Sequence, residues 1–240
     1  MKTTCVIICI YFAIHSVALG QHGNHVKIVG QMKDVMWNGQ LNGKIFLDTI
    51  ADKTNLYGIG PVEYLTGEIL IIDGRCYRST VETETSMRME ETYDIHAAFF
   101  GYAQIKEWHK QVLPDSIQTL HQLEAYINKI TSTSSRPFIF KITGKIDQAM
   151  IHVVNLPGGT KVKSPTDAHK GKVNYEINNE WVEMVGFFST SHQAIFTHHD
   201  TYLHIHLITS DRMKMGHLDE LNMSKDPAFL YLPVEKNYLD

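Results

Sequence analysis

Cysteine is scarce in this chain of 240 residues: there are three, and Cys5 and Cys9 fall inside the first twenty positions. With those positions removed Cys76 stands alone, so no intramolecular disulfide forms and the fold must rest on its apolar core. A solitary cysteine of this kind is expected to be buried rather than reactive. Prolines number only seven and are scattered, and neither an internal repeat nor a low-complexity run interrupts the chain, which reads as one compact unit. An excess of positive charge is also lacking. The 22 Lys and Arg against 26 Asp and Glu leave a net charge of −4 with no basic patch, which gives no footing for nucleic-acid binding.

Long apolar runs are confined to the N-terminus. Lys2 supplies a positive start, Cys5 to Ile14 is mostly apolar, and Ala18-Leu19-Gly20 is a small-x-small cleavage site, so residues 1–20 are expected to be a secretory signal cut after Gly20. That apolar part is too short for a comfortable membrane span, and no later stretch is long and apolar enough to be one. The expectation is a secreted or periplasmic protein without membrane association after cleavage, its charge shifted to −5 by the loss of Lys2. Asn222-Met223-Ser224 meets the glycosylation sequon, which matters only in a eukaryotic secretory host.

Short apolar segments flanked by Gly or Asn predict strands at Val26–Val29, Ile45–Leu47, Tyr64–Ile72, Cys76–Thr80 and His96–Tyr102. Asp73-Gly74 between two of them is a two-residue hairpin signal. From Ser116 the spacing changes: Ile117, Leu120, Leu123, Ile127 and Ile130 recur at helical intervals, predicting a helix over Ile117–Ile130 with Ser116 as N-cap. The polar run Thr131–Ser135 marks an internal boundary, after which Phe138–Ile142, Met150–Val154, Trp181–Phe188 and Tyr202–Ile208 again read as strands. This pattern predicts a β-rich α+β fold of two abutting mixed or antiparallel sheets with few helices. An N-terminal sheet-and-helix subdomain would span 21–135 and a C-terminal sheet subdomain 136–240.

The most informative stretch is His204-Ile205-His206 followed by Gly216-His217-Leu218-Asp219. On a strand, His204 and His206 leave the same face about 7 Å apart, a spacing that suits two ligands of one ion. The polar, glycine-ended run Thr209–Gly216 turns the chain and returns His217 on a neighbouring antiparallel strand. Three neutral imidazoles with open coordination positions describe a catalytic zinc site better than a structural one; nickel, cobalt and iron remain open. On its own a His-x-His pair more often lines a polar strand face, and fourteen histidines raise the chance of coincident spacing. The third histidine weighs the other way. His192, His198 and His199 read as mouth or surface residues.

Taken together, Gly58-Ile59-Gly60, Leu65-Thr66-Gly67-Glu68-Ile69-Leu70-Ile71-Ile72-Asp73-Gly74 with Tyr77, Gly186-Phe187, the His204-x-His206-Leu207-Ile208-x-x-Asp211-Arg212 run and Gly216-His217-Leu218-Asp219 resemble the α-acetolactate decarboxylase family. The resemblance covers most of the chain after residue 20 and implies His204, His206 and His217 as ligands of Zn(2+), Glu68 as a carboxylate projecting into the site, and a two-part fold that is commonly a homodimer. It implies a small-molecule substrate, 2-acetolactate, decarboxylated to acetoin. Where the family places an arginine, this chain has His152, which offers one donor where arginine offers a planar fork and titrates near neutrality, so substrate anchoring is expected to be weaker or pH-dependent. The family also brings a glutamate from its C-terminal tail, for which Glu235 is the stand-in. The alternative is a catalytically impaired homologue that keeps the metal and binds a hydroxy-keto or sugar-like ligand. A cupin-type hydrolase or dioxygenase also uses His-x-His, but wants a glutamate a few residues on, where this chain offers only Asp211.

Overall fold

The computed structural model describes residues 26–197 and 201–234; the expected signal at 1–20, His198, His199 and Glu235 lie outside them. Among the described residues fifteen strands run in chain order: β1 Lys27–Val29, β2 Ile45–Phe46, β3 Leu56–Pro61, β4 Glu68–Ile72, β5 Arg75–Val81, β6 Met87–Glu91, β7 His96–Ala97, β8 Phe100–Gln104, β9 Trp108–Val112, β10 Phe138–Val153, β11 Val173–Asn178, β12 Trp181–Phe188, β13 Leu203–Thr209, β14 Met215–Met223 and β15 Phe229–Pro233. Three α-helices among the described residues join them: α1 Met32–Met36, α2 Leu120–Ile130 and α3 Pro165–Ala168. The β-rich α+β class expected from the sequence is the class observed.

The first sheet has the order β1-β8-β3-β4-β5-β6 and the second β12-β13-β14-β10-β15-β9, with β11 added along β10. The two abut through Tyr57, Ile59, Leu70, Ile72 and Tyr77 on one side and Ile139, Val185, Phe187, Ile208 and Met215 on the other. Burial of these side chains, each worth about 1.5–3 kcal/mol, is what clamps the sheets together. The second sheet has its own larger core, to which α2 contributes Leu123 and Ile127. Strand β9, which precedes α2, pairs with β15 in the second sheet.

Several local expectations shift. The helix begins at Leu120, three residues later than expected. Thr119 forms the N-cap in place of Ser116, because its hydroxyl accepts from Gln122 N–H while the Gln122 side chain accepts from Thr119 N–H, a complete capping box. Ile117 sits in the turn before it and still packs on the core. The strand expected over Tyr64–Ile72 starts only at Glu68, because Tyr64 and Leu65 adopt positive φ of 59° and 54° and break the extended run. Phe138–Ile142 and Met150–Val154 are not two strands but the ends of the 16-residue β10. Its first half pairs with β12 and β15 and its second half with β14 and β11, so Thr143, Gly144 and Lys145 keep ladder partners up to the switch, where Asp147 falls in a register irregularity. Hydrogen-bonded pairing thus runs in a closed circuit, β10 to β12 to β13 to β14 and back to β10.

The β4–β5 hairpin closes as Asp73-Gly74 predicted: both turn residues have positive φ, 48° and 75°, the mirror-image turn whose twist matches the strands. A side chain at Gly74 would in addition meet the carbonyl oxygen of Lys53. Gly74→Ala is therefore expected to lower stability by about 1–3 kcal/mol. Gly158→Ala, where nothing lies within 4 Å of the added carbon, should change it by less than about 0.5 kcal/mol. Urea-denaturation midpoints of the two variants check this, and equal midpoints would contradict the turn assignment.

Candidate metal centre and cavity

Strand β13 is buried along its whole length, and alternation sends His204 and His206 to one face with Leu203, Ile205 and Leu207 packed into the second-sheet core. His206 lies directly opposite His217 across β13–β14, and His217 lies directly opposite His152 across β14–β10. Directly opposed residues of an antiparallel ladder share a face, so three strands present a row of imidazoles. The rings of His204, His206 and His217 stand with centroids 5.1–5.7 Å apart, and His152 stacks on His217 at 4.7 Å. Gly216 permits this approach: a Cβ there would come within 2.5 Å of the His152 carbonyl oxygen.

Glu68 enters from the first sheet, at the start of β4. Its Oε1 accepts from Val154 N–H at 3.4 Å and its Oε2 lies 3.6 Å from His206 Nε2. The five residues singled out from the sequence, Glu68, His152, His204, His206 and His217, are thus brought into one place. Glu68, His152, His204 and His206 are buried, and His217 is partly so. His192 is not with them; it hydrogen-bonds Ser189 Oγ at 2.7 Å on the loop after β12.

Asp219, two residues after His217, joins the site. It is the extra residue of a β-bulge, where the β10–β14 register slips between Met150 and Ile151. Its two carboxylate oxygens accept from His152 Nδ1–H at 2.9 and 2.8 Å, and Oδ1 lies 3.3 Å from His217 Nδ1. His204 Nδ1–H donates to the Phe196 carbonyl at 2.8 Å. In each case Nδ1 carries the hydrogen, which puts the lone pair on Nε2, the orientation that second-shell partners impose on metal-ligating histidine. Burial pushes the Glu68 carboxyl well above the usual carboxylate range and lowers His206 well below the usual imidazole range, the neighbouring histidines adding to the latter. Burial likewise lowers His152, against the pull of Asp219. For Asp219 burial acts upward, but its bonds from His152 and His217 outweigh it and keep the carboxylate ionised.

Neutral, lone-pair-bearing imidazoles are what a divalent ion requires. The fit is sharpest at His206, whose two ring nitrogens are buried and make no hydrogen bond of good geometry among the described residues, their neighbours being the Ile69 backbone and, at 3.6 Å from Nε2, Glu68 Oε2. Such an orphaned group costs about 1–3 kcal/mol, a penalty that a metal bond removes. Among the described residues the group whose possible ligand atoms all lie within 4.8 Å of one another is His152, His217 and Asp219, so His, His and Asp at this edge could hold an ion. Asp219 is already engaged by both Nδ1 groups, which suits it to orienting ligands rather than to being one.

A cavity of about 560 Å³ opens beside the histidines. Glu68, His152, His204, His217 and Asp219 line one side, and Met32 and Met36 from α1, Trp37 just after it and Phe99 line an apolar wall. A cluster of buried residues behind that wall, including Val35, Leu65, Leu156 and Ala168, holds α1 and α3 in place. His169 and Lys172, on the segment between α3 and β11, complete the rim. No periodicity in the sequence pointed to either, because they sit on a turn.

A family model described as alpha-acetolactate decarboxylase matches residues 29–231. Among solved structures, the alpha-acetolactate decarboxylase of Bacillus subtilis strain 168 is 20% identical, with 87% of this chain and 85% of that chain covered at a TM-score of 0.68. The acetolactate decarboxylase of Bacillus subtilis subspecies spizizenii is also 20% identical, covering 87% and 86% at 0.70. A Staphylococcus aureus protein of unknown function, similar to alpha-acetolactate decarboxylase, is 18% identical, covering 88% and 86% at 0.70. No curated protein matches by sequence. At these identities the structures attest a shared fold, and the family model, spanning most of the chain, attests descent: the protein belongs to the alpha-acetolactate decarboxylase family.

Proposed function

We propose that the protein is a secreted or periplasmic, zinc-dependent decarboxylase that converts 2-acetolactate to acetoin. The observation that carries the reading is the convergence of the His204, His206 and His217 rings beside buried Glu68, with Nδ1 of His204 and His217 engaged and both of these residues lining a cavity large enough for a small hydroxy-keto acid. Its location rests on the leader-like residues 1–20 alone.

A divalent ion held by the three histidines would supply Lewis acidity toward the oxygen atoms on which negative charge develops. The chain's own contribution is positional. When the bond to the carboxylate breaks, its electron pair passes toward the ketone, carbon dioxide leaves, and the resulting enediolate needs a proton on carbon. Val154 N–H holds Glu68 Oε1, leaving Oε2 on the side of the histidines, where a carboxyl proton can be delivered to that carbon. The apolar α1 wall keeps water from that face, which favours one proton donor over bulk solvent.

The experiment is an acetoin colour assay on purified mature protein with elemental analysis of the same sample. Acetoin above the spontaneous rate supports the reading. Stoichiometric metal without acetoin would instead support a homologue that binds a hydroxy-keto or sugar-like ligand without turning it over. His206→Ala is expected to lose the metal while remaining folded, because the sheet core does not depend on the ion; a metal-free wild type or an equally loaded variant would contradict the ligand set. Glu68→Gln should lower turnover by ~10²–10⁴-fold with metal content intact. Equal turnover would reduce Glu68 to a structural residue.

A further inference from the structure

An acid substrate brings a carboxylate into a cavity that Asp219 already lines, and besides the ion at the histidines a group with free N–H donors is needed to hold and orient that carboxylate. His152, at the position of the family's arginine, is poorly placed for this. Its Nδ1 is spent on both oxygens of Asp219, so only Nε2 remains, one atom where a carboxylate presents two. Among the described residues that line the cavity there is one lysine or arginine, Lys172. Its Nζ lies 3.5 Å from Asp219 Oδ2, inside ion-pair range but beyond a good hydrogen bond, so its N–H donors are not consumed by that carboxylate.

The backbone carrying Lys172 is pinned. Lys172 N–H bonds the His169 carbonyl at 3.2 Å, and the next residue, Val173, opens β11 in register with Val153 of β10, one step from the His152–Asn174 pair. Gly171 has a φ of +74° and packs against Asn155 O, which fixes the bend that turns the lysine toward the cavity rim. The ammonium is therefore delivered from a rigid strand start to a point one carboxylate removed from His217. Its side chain is 31% exposed, so it can reach into the cavity without crossing packed core.

We propose that Lys172 is the substrate-carboxylate anchor of this chain, a specificity-determining residue that takes over the role left by His152. The proposal rests on the decarboxylase reading above for its substrate, and not for the existence of a carboxylate site. The strength of a lysine anchor lies in charge rather than in a two-point fork, so it prefers an anion without demanding a fixed orientation.

The test compares wild type, Lys172→Met and Lys172→Arg, each zinc-loaded and assayed for metal content. With 2-acetolactate, Lys172→Met should raise KM about tenfold with a smaller change in kcat, whereas Lys172→Arg should stay within about threefold of wild type. In calorimetry, 2-hydroxy-2-methylpropanoate, an unreactive anion, should bind Lys172→Met about tenfold more weakly than wild type, while acetoin, which is neutral, should bind both equally. The anchor is overturned if wild type does not bind the anion, if Lys172→Met binds it as wild type does, or if the variant loses anion and acetoin in equal measure. A wild type that binds the anion through Lys172 yet forms no acetoin would keep the anchor and refute the decarboxylase reading.

Discussion

The site depends on strand register. His206, His217 and His152 face the same way only because β13, β14 and β10 are aligned with those three residues directly opposite one another. A slip by one position on any of these strands would turn its histidine into the core and bring an apolar neighbour, Ile205, Leu207, Leu218 or Ile151, to the cavity. Register is held by what lies behind it. Those same neighbours are buried in the second-sheet core, so the burial that stabilises the sheet also aims the imidazoles. Closure of the pairing circuit through β10 and β12 leaves these strands no free edge along which to slide.

A row of buried polar rings is costly unless each ring has a partner, and the surroundings are arranged accordingly. The Phe196 carbonyl serves His204, and Asp219, displaced by a bulge, serves His152 and lies beside His217. Only the His152–Asp219 pair joins elements distant in sequence, and each partner fixes a tautomer. His206 is the exception, buried with no well-formed hydrogen bond at either nitrogen among the described residues and facing a carboxyl that is itself buried. That unsatisfied pair is where the folded chain holds unspent interaction energy, and a cation is the simplest group that would engage both.

Much of this could be read from the residues and some could not. The alternation of β13, the return of His217 and the Asp73-Gly74 turn are short-range signals, and each was realised. The convergence of Glu68 with the histidines is long-range and came from resemblance to a family rather than from pattern. Helix α2 starts late because a local capping box at Thr119 outcompetes apolar spacing, which is blind to hydrogen bonds. Strand β10 looked like two strands because Thr143, Gly144, Lys145 and Asp147 interrupt its apolar pattern, yet β12 pairs with the first three and the Asp147 carbonyl accepts from Asn179 N–H, which keeps the strand continuous. The strand over Tyr64–Leu65 failed because two non-glycine residues adopt left-handed backbone, a conformation no propensity anticipates. Asp219 was within reach, being two residues from His217 on a strand and so on the same face. Lys172 and His169 were not, since their place on the rim is created by a turn and by the packing of β11 on β10.

The central claim is that one divalent ion sits between β13 and β14, on His204, His206 and His217, with Asp219 outside the coordination sphere. Anomalous diffraction at the zinc edge from crystals of the zinc-loaded protein tests it most directly. A single peak in contact with Nε2 of those three histidines, with the Asp219 carboxylate still on the Nδ1 groups, is the predicted result. A peak coordinated by His152, His217 and Asp219, with His206 left out, would contradict it.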